Sequence, residues 1–135
     1  SIREIKFPCI LQEFCKYNHC DIRINVIGDF VLGFKRENRA NDFRASGSGR
    51  IVYCNELPSE AVKLAYEISK ENDFNCMSYD FVQNSKKEWV VLEISYMFLA
   101  SAVNRCEFGY DASNNFIKTE NKYPAQEQVI KAIGL

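Results

Sequence analysis

Asp21-Ile22-Arg23-Ile24-Asn25-Val26-Ile27-Gly28-Asp29-Phe30-Val31-Leu32-Gly33-Phe34-Lys35-Arg36 is the stretch that decides the fold. From Asp21 to Ile27 polar and apolar side chains alternate with period two, the pattern of a half-buried strand. Gly28 and Asp29 supply a two-residue turn, and Phe30 to Arg36 returns as a second strand. The stretch therefore predicts an antiparallel hairpin.

Outward from this hairpin the chain is less regular. Phe7 to Phe14 mixes apolar and polar residues and is expected to form a strand. Glu37 to Arg50 is polar, with Ser46-Gly47-Ser48-Gly49 at its tip, and reads as a long functional loop. Ser59 to Asn72 reads as a helix, because Ala61, Leu64, Ala65 and Ile68 recur at the spacing of one buried face and Pro58 suits its start. Cys76 to Val82 and Glu88 to Tyr96, joined by Asn84-Ser85-Lys86-Lys87, predict a second hairpin. Asn104 to Tyr123 is expected to be irregular, and Ala125 to Ile133 to form a short final helix. This order predicts an α+β fold, an antiparallel sheet with helices packed on one face.

Composition narrows the function classes. The 135 residues are 47% hydrophobic and 26% charged, which suits one domain with a packed core. With 17 basic against 18 acidic side chains, the chain lacks the basic excess of a nucleic-acid binder. No apolar run approaches the ~20 residues of a membrane span, and Ser1-Ile2-Arg3-Glu4 has no signal core. The six cysteines, Cys9, Cys15, Cys20, Cys54, Cys76 and Cys106, show no two-residue spacing. His19, the only histidine, neighbours Cys20, but adjacent strand residues face opposite ways and make no catalytic pair. The cysteines read as reduced thiols, and a cytoplasmic location is expected. A redox or zinc thiol protein is the weaker alternative.

The chemistry lies in charged residues on the strands. Asp80 and Glu93 interrupt apolar runs, and a hairpin about the 84–87 turn sets them nearly opposite each other. Ser95, two residues beyond Glu93, shares its face. Two carboxylates and a hydroxyl suit Mg²⁺, which takes oxygen ligands. The competing reading pairs each carboxylate with an Arg or Lys, or leaves it solvated at an edge. Arg23, Arg36 and Arg44 suit bidentate contacts with phosphate or carboxylate, the alternative being solvated surface charges.

The ordered set Gln12-Glu13-Phe14, Asp21-Ile22-Arg23, Arg36, Asp42-Phe43-Arg44-Ala45-Ser46, Asp80 and Leu92-Glu93-Ile94-Ser95 resembles the C-terminal half of an ATP-grasp domain. The resemblance is closest to ligases that join glutamate to a ribosomal protein and to glutathione-synthetase-like enzymes. It implies that Gln12, Glu13 and Phe14 form a hinge against adenine and that Asp21 sits by the ribose. Ser46 matches an Asn of the nucleotide loop. Arg23, Arg36 and Arg44 would face phosphates or an acyl-phosphate intermediate. Asp80 and Glu93 would hold Mg²⁺, with Ser95, in place of an Asn, reaching it through a bridging water. The implied reaction activates a carboxylate, of a small molecule or peptide, with ATP and couples it to an amine.

The chain also departs from that pattern. Tyr96-Met97-Phe98-Leu99-Ala100 replaces the Ser-Pro-Gly of the glutamate ligases. Gly109-Tyr110-Asp111 resembles ATP-grasp proteins of surface-polysaccharide or peptide modification. The phosphate-binding lysines and Gly-rich loop of the preceding half are not among the 135 residues. Residues 1–135 are thus expected to be a C-terminal subdomain, inactive alone, that dimerises through an exposed hinge near Phe7, Ile10, Leu11 and Phe14. A degenerate module with a binding or assembly role is the alternative function.

Overall fold

Strands β1 (Cys20–Ile27) and β2 (Phe30–Glu37) form the expected hairpin, in register from Cys20 opposite Glu37 to Ile27 opposite Phe30. Gly28 closes it at φ +58°, the left-handed value that the first position of a two-residue hairpin turn requires. The structure, a computed structural model, describes residues 8, 10–111, 113, 115–118 and 125–134. Along the chain follow β3 (Ile51–Val52), α1 (Ser59–Glu71), β4 (Cys76–Gln83), β5 (Trp89–Ser95), α2 (Ala100–Val103), β6 (Phe108–Tyr110), β7 (Phe116–Lys118) and α3 (Ala125–Ala132). All pairings are antiparallel, in the order β5-β4-β1-β2-β6-β7, with β3 on β2. The fold is the expected α+β class.

Strand alternation gives this sheet two different faces. Ile22, Ile24 and Val26 of β1 share one face with Tyr79 and Phe81 of β4, and Ala61, Val62 and Ala65 of α1 pack on it. Tyr79 and Phe81 are fully buried there, each side chain contributing roughly 1.5–3 kcal/mol by leaving water. Gly33 lies on this face opposite Ile24, and a Cβ there would stand 2.6 Å from the Arg23 carbonyl oxygen and 2.8 Å from Leu57. The reverse face carries Asp21, Arg23, Asn25 and Ile27. Its lower part is apolar: Ile27, Leu32 and Phe34 pack with Ala102 and Val103 of α2, and Ala125 of α3. Its upper part is polar and forms the site.

Two expectations need correction. Residues 10–14 form no strand; Ile10 and Leu11 stay 90% and 86% exposed, so no apolar face holds them in a sheet. Phe7 and Cys9 lie outside the described residues. The segment 104–123 is not irregular throughout, because β6 pairs with β2 through Val31–Tyr110 and Leu32–Gly109, and β7 pairs with β6. These strands have three residues each, too few to show alternation, and it is pairing with β2 that sets β6. Among the described residues no helix is long and apolar enough to cross a membrane. The five described cysteines carry no disulfide. Burial pushes the thiols of Cys20 and Cys76 up, and that of Cys106 to about 12, so none of the three is an activated nucleophile.

Candidate functional site

Register brings the charged residues of four strands into one row. Asp21 stands opposite Arg36 across β1 and β2, Arg23 opposite Asp80 across β1 and β4, and Asp80 opposite Glu93 across β4 and β5. A register shift between Asp80 and Phe81 turns β5 just beyond this row. Arg23 donates from Nε and Nη2 to the two Asp80 oxygens, 2.7 Å each. Arg36 donates from Nε and Nη2 to Asp21 at 2.8 and 2.6 Å, and from Nη2 to Asp80 Oδ2 at 2.6 Å. Asp21, Arg36 and Asp80 are all buried. Burial pulls the Arg36 pKa down, but the bonds and charges of Asp21 and Asp80 outweigh it and raise the net value, so Arg36 stays charged. Lower on the same face Ser78 Oγ donates to Asn25 Oδ1 at 2.6 Å. Among the described residues no buried side-chain oxygen or nitrogen lacks a partner.

Two loops wall this row. The 10–19 segment is tied down by side-chain amides in place of strand pairing. Gln12 Nε2 donates to the Leu92 carbonyl at 3.3 Å. Asn18 exchanges two 2.9 Å bonds with the backbone of Gln83, and Asn38 Nδ2 donates to the Asn18 carbonyl at 2.8 Å. Asn18 thus mimics a strand residue and anchors the end of the 10–19 segment to β4. On the other side, Arg44 donates from its backbone and guanidinium to Asp42, and Arg39 to the Ser46 carbonyl. The hydrogen bonds from Arg44 hold the Asp42 carboxyl at about 2. Phe43 meets Phe14 edge-on at 5.1 Å between ring centroids, closing one loop against the other.

Between loops and sheet lies a cavity of about 250 Å³. Of the eleven residues singled out from sequence, eight line it: Glu13, Phe14, Asp21, Arg36, Arg44, Ser46, Asp80 and Glu93. Three do not. Arg23 lies behind Asp80, holding its carboxylate. Gln12 holds the 10–19 segment from outside through the Leu92 carbonyl. Ser95 Oγ bonds the backbone of Met97 at the end of β5. Asp80 pairs with two arginines, Arg23 and Arg36.

Sequence reasoning passed over Asn18, Asn38, Phe43 as an aromatic wall, and Leu92, all on the lining. Phe43 sits inside the Asp42-Phe43-Arg44 motif and was legible there. Asn18 was not, because its role depends on where Gln83 lies.

The lining is polarised. Phe14, Phe43, Ala45, Val82 and Leu92 form an apolar wall, and the charged row forms the floor. Four carboxylates, Glu13, Asp21, Asp80 and Glu93, face two guanidiniums, Arg36 and Arg44, a surplus of two negative charges. Among the described residues no group of three or more His, Cys, Asp or Glu side chains is placed to hold a metal. The two carboxylates that face each other across strands are Asp80 and the exposed Glu93, which has no ion-pair partner among the described residues. Oxygen donors on facing strand positions fit a hard cation in kind. Asp80 brings to that fit a carboxylate already accepting three hydrogen bonds.

Residues 2–118 match the RimK-like ATP-grasp domain family. No curated protein matches the chain. Among solved structures it is similar to macrocyclase MdnC of Microcystis aeruginosa MRC, bound there with precursor peptide MdnA. The TM-score is 0.52 at 12% identity, covering 87% of this chain and 31% of that one. Macrocyclase MdnB of the same organism gives a TM-score of 0.49 at 16% identity, covering 70% and 33%. The chain spans about a third of the length of either.

Proposed function

The chain belongs to the RimK-like ATP-grasp domain family, and from that premise we propose that it is the C-terminal part of an ATP- and Mg²⁺-dependent carboxylate-amine ligase. In this reading ATP phosphorylates a carboxylate to an acyl phosphate, leaving ADP, and an amine then attacks the acyl carbon and displaces phosphate. The observation that carries it is the cavity, where an apolar aromatic wall and a charged floor meet. The wall suits a flat heterocycle, and Arg36 and Arg44 on the floor suit phosphoryl oxygens. About 250 Å³ falls short of the ~300–1,000 Å³ of whole ligand sites, as half of a shared site would.

The residues divide the work. Glu13 and Phe14 bring the hinge to the wall, with Gln12 and Asn18 holding it in place. Asp21 keeps Arg36 charged and aimed along the floor. Arg44, held by Asp42, and Ser46 bring the loop over the phosphate end. Glu93 and Asp80 would hold Mg²⁺, and Ser95 would reach it through water. When bound, the cation supplies the positive charge that the floor lacks and that a polyphosphate needs. No nucleophilic side chain is required, because positioning and charge neutralisation carry the chemistry.

The exposed Ile10 and Leu11 keep dimerisation through the hinge within the same reading. A second reading, a degenerate module that binds or assembles without catalysis, draws support from Arg23 and Arg36 both being occupied by Asp80. Calorimetric titration of the full-length protein with ATP and Mg²⁺ separates the two. Micromolar Mg²⁺-dependent binding, lost in the Asp80→Ala, Glu93→Ala double variant, is the expected result. Unchanged affinity and turnover in that variant would overturn the site assignment, and no binding by the unaltered protein would favour the module.

A further inference from the structure

Asp80 and the two arginines around it largely occupy one another. Its carboxylate offers about four lone-pair positions, and three are filled by Arg23 Nε, Arg23 Nη2 and Arg36 Nη2 at 2.6–2.7 Å. Arg36 in turn commits Nε and Nη2, and only its Nη1 is left for another acceptor. With Asp21 the cluster holds two guanidiniums against two carboxylates and is neutral. The rest of the lining adds Glu13 and Glu93 against Arg44, itself bound to Asp42. The floor that should grip phosphate therefore presents no surplus positive charge.

The two contacts of Arg36 differ in kind. Asp21 is its cross-strand partner and binds it through two nitrogens, so it orients the guanidinium. Asp80 touches it through one bond only, and Asp80 is the cross-strand partner of Glu93. A cation shared by Asp80 and Glu93 would draw on the same carboxylate oxygens that now accept from Arg23 and Arg36. We propose that Asp80 is an internal competitor for the site's arginines, which couples anion binding to divalent-cation binding. Phosphate oxygens and the Asp80 carboxylate contend for Arg36, and more weakly for Arg23. A cation on Asp80 settles the contest in favour of the phosphate. The coupling is reciprocal, so a polyphosphate raises cation affinity by the same factor. This rests on the nucleotide reading above and adds to it an order of preference: polyphosphate without a divalent cation is disfavoured by the site's own carboxylate.

The test uses the full-length protein and inorganic tripolyphosphate in EDTA, read by calorimetry. Asp80→Asn and Glu93→Gln each remove one negative charge from the lining, but only the first releases guanidinium groups. The expected result is a gain in metal-free tripolyphosphate affinity of tenfold or more in D80N, at least fivefold beyond the gain in E93Q. Equal gains in the two variants, or none in D80N, would overturn the proposal. Should D80N fail to fold, Arg23→Gln gives an independent arm, since Arg23 is partly exposed and off the cavity lining. Freeing one side of Asp80 is expected to tighten Mn²⁺ binding in the absence of nucleotide severalfold. Unchanged or weaker Mn²⁺ binding in R23Q would overturn the competition. Failure of the unaltered protein to bind ATP with Mg²⁺ would instead overturn the nucleotide reading, and neither comparison above depends on that result.

Discussion

The two faces of the central strands are buried to a similar degree by opposite means. Under α1 the side chains of Ile22, Ile24, Val26, Tyr79 and Phe81 are 0–1% exposed and apolar, apart from the Tyr79 hydroxyl, which bonds Ser69 Oγ at 2.7 Å. On the reverse face the alternate residues of the same strands, Asp21, Asn25, Ser78 and Asp80, are 0–6% exposed and polar. The apolar face is stabilised by surface removed from water, a term that tolerates small shifts. The polar face balances desolvation against ion pairs and hydrogen bonds, and removing one partner leaves the other costly. One face holds the domain together, and the other spends stability to keep charges fixed where a ligand can use them.

The largest expected effect breaks the apolar side. Phe81→Ala opens a cavity beneath α1 and should cost ~3–5 kcal/mol, read as a lower urea midpoint with little change in slope. An effect below about 1 kcal/mol would mean that the α1 face is not the stabilising core.

Arg36→Met tests the polar side. Alone it strands Asp21 and half-strands Asp80 and should cost roughly 3–4 kcal/mol. Combined with Asp21→Asn, much of that loss should return, because the uncompensated buried charge is gone. A double-mutant cycle measures the coupling, expected at 1 kcal/mol or more. Strict additivity would show that the cluster is not a unit. No such rescue is expected on the apolar face, where a second truncation enlarges the void.

The smallest effect sharpens the contrast at the exposed loop. Arg44 holds the Asp42 carboxyl down at about 2, so the clasp is present above the ordinary carboxylate value near 4 and lost as pH falls through about 2. Carboxyl NMR of Asp42 should show a midpoint near 2, returning toward ~4 in Arg44→Gln. A midpoint unmoved by that substitution would remove the clasp. Global stability should barely change, since both side chains reach solvent.

How legible the site was follows from which interactions are periodic. The β1–β2 hairpin was readable because alternation and Gly28 act within a few residues. The hairpin of β4 and β5 was readable from the 84–87 turn, but that turn pairs Phe81 with Val91, and it is the register shift beyond Phe81 that sets Glu93 rather than Leu92 opposite Asp80. Strand β6 was missed because its partner β2 lies far away in sequence, and β7 because it pairs with β6, three residues carrying no period in either. What the sequence left open for Arg23 is its partner, which is Asp80. Its strand and face were predictable, but which carboxylate its long side chain reaches depends on β4 lying beside β1.

Local pattern thus settled the α+β class, the two hairpins, the main helix and the set of residues that share the polar face. These follow from backbone sterics and from which side chains shun water, both properties of neighbours in sequence. Long-range assembly settled the rest. The cavity exists because Asn18 meets Gln83 and Phe14 meets Phe43. Asp80 serves two arginines because β1, β2 and β4 lie side by side. Charges pair by distance in space, and only the packed sheet sets those distances.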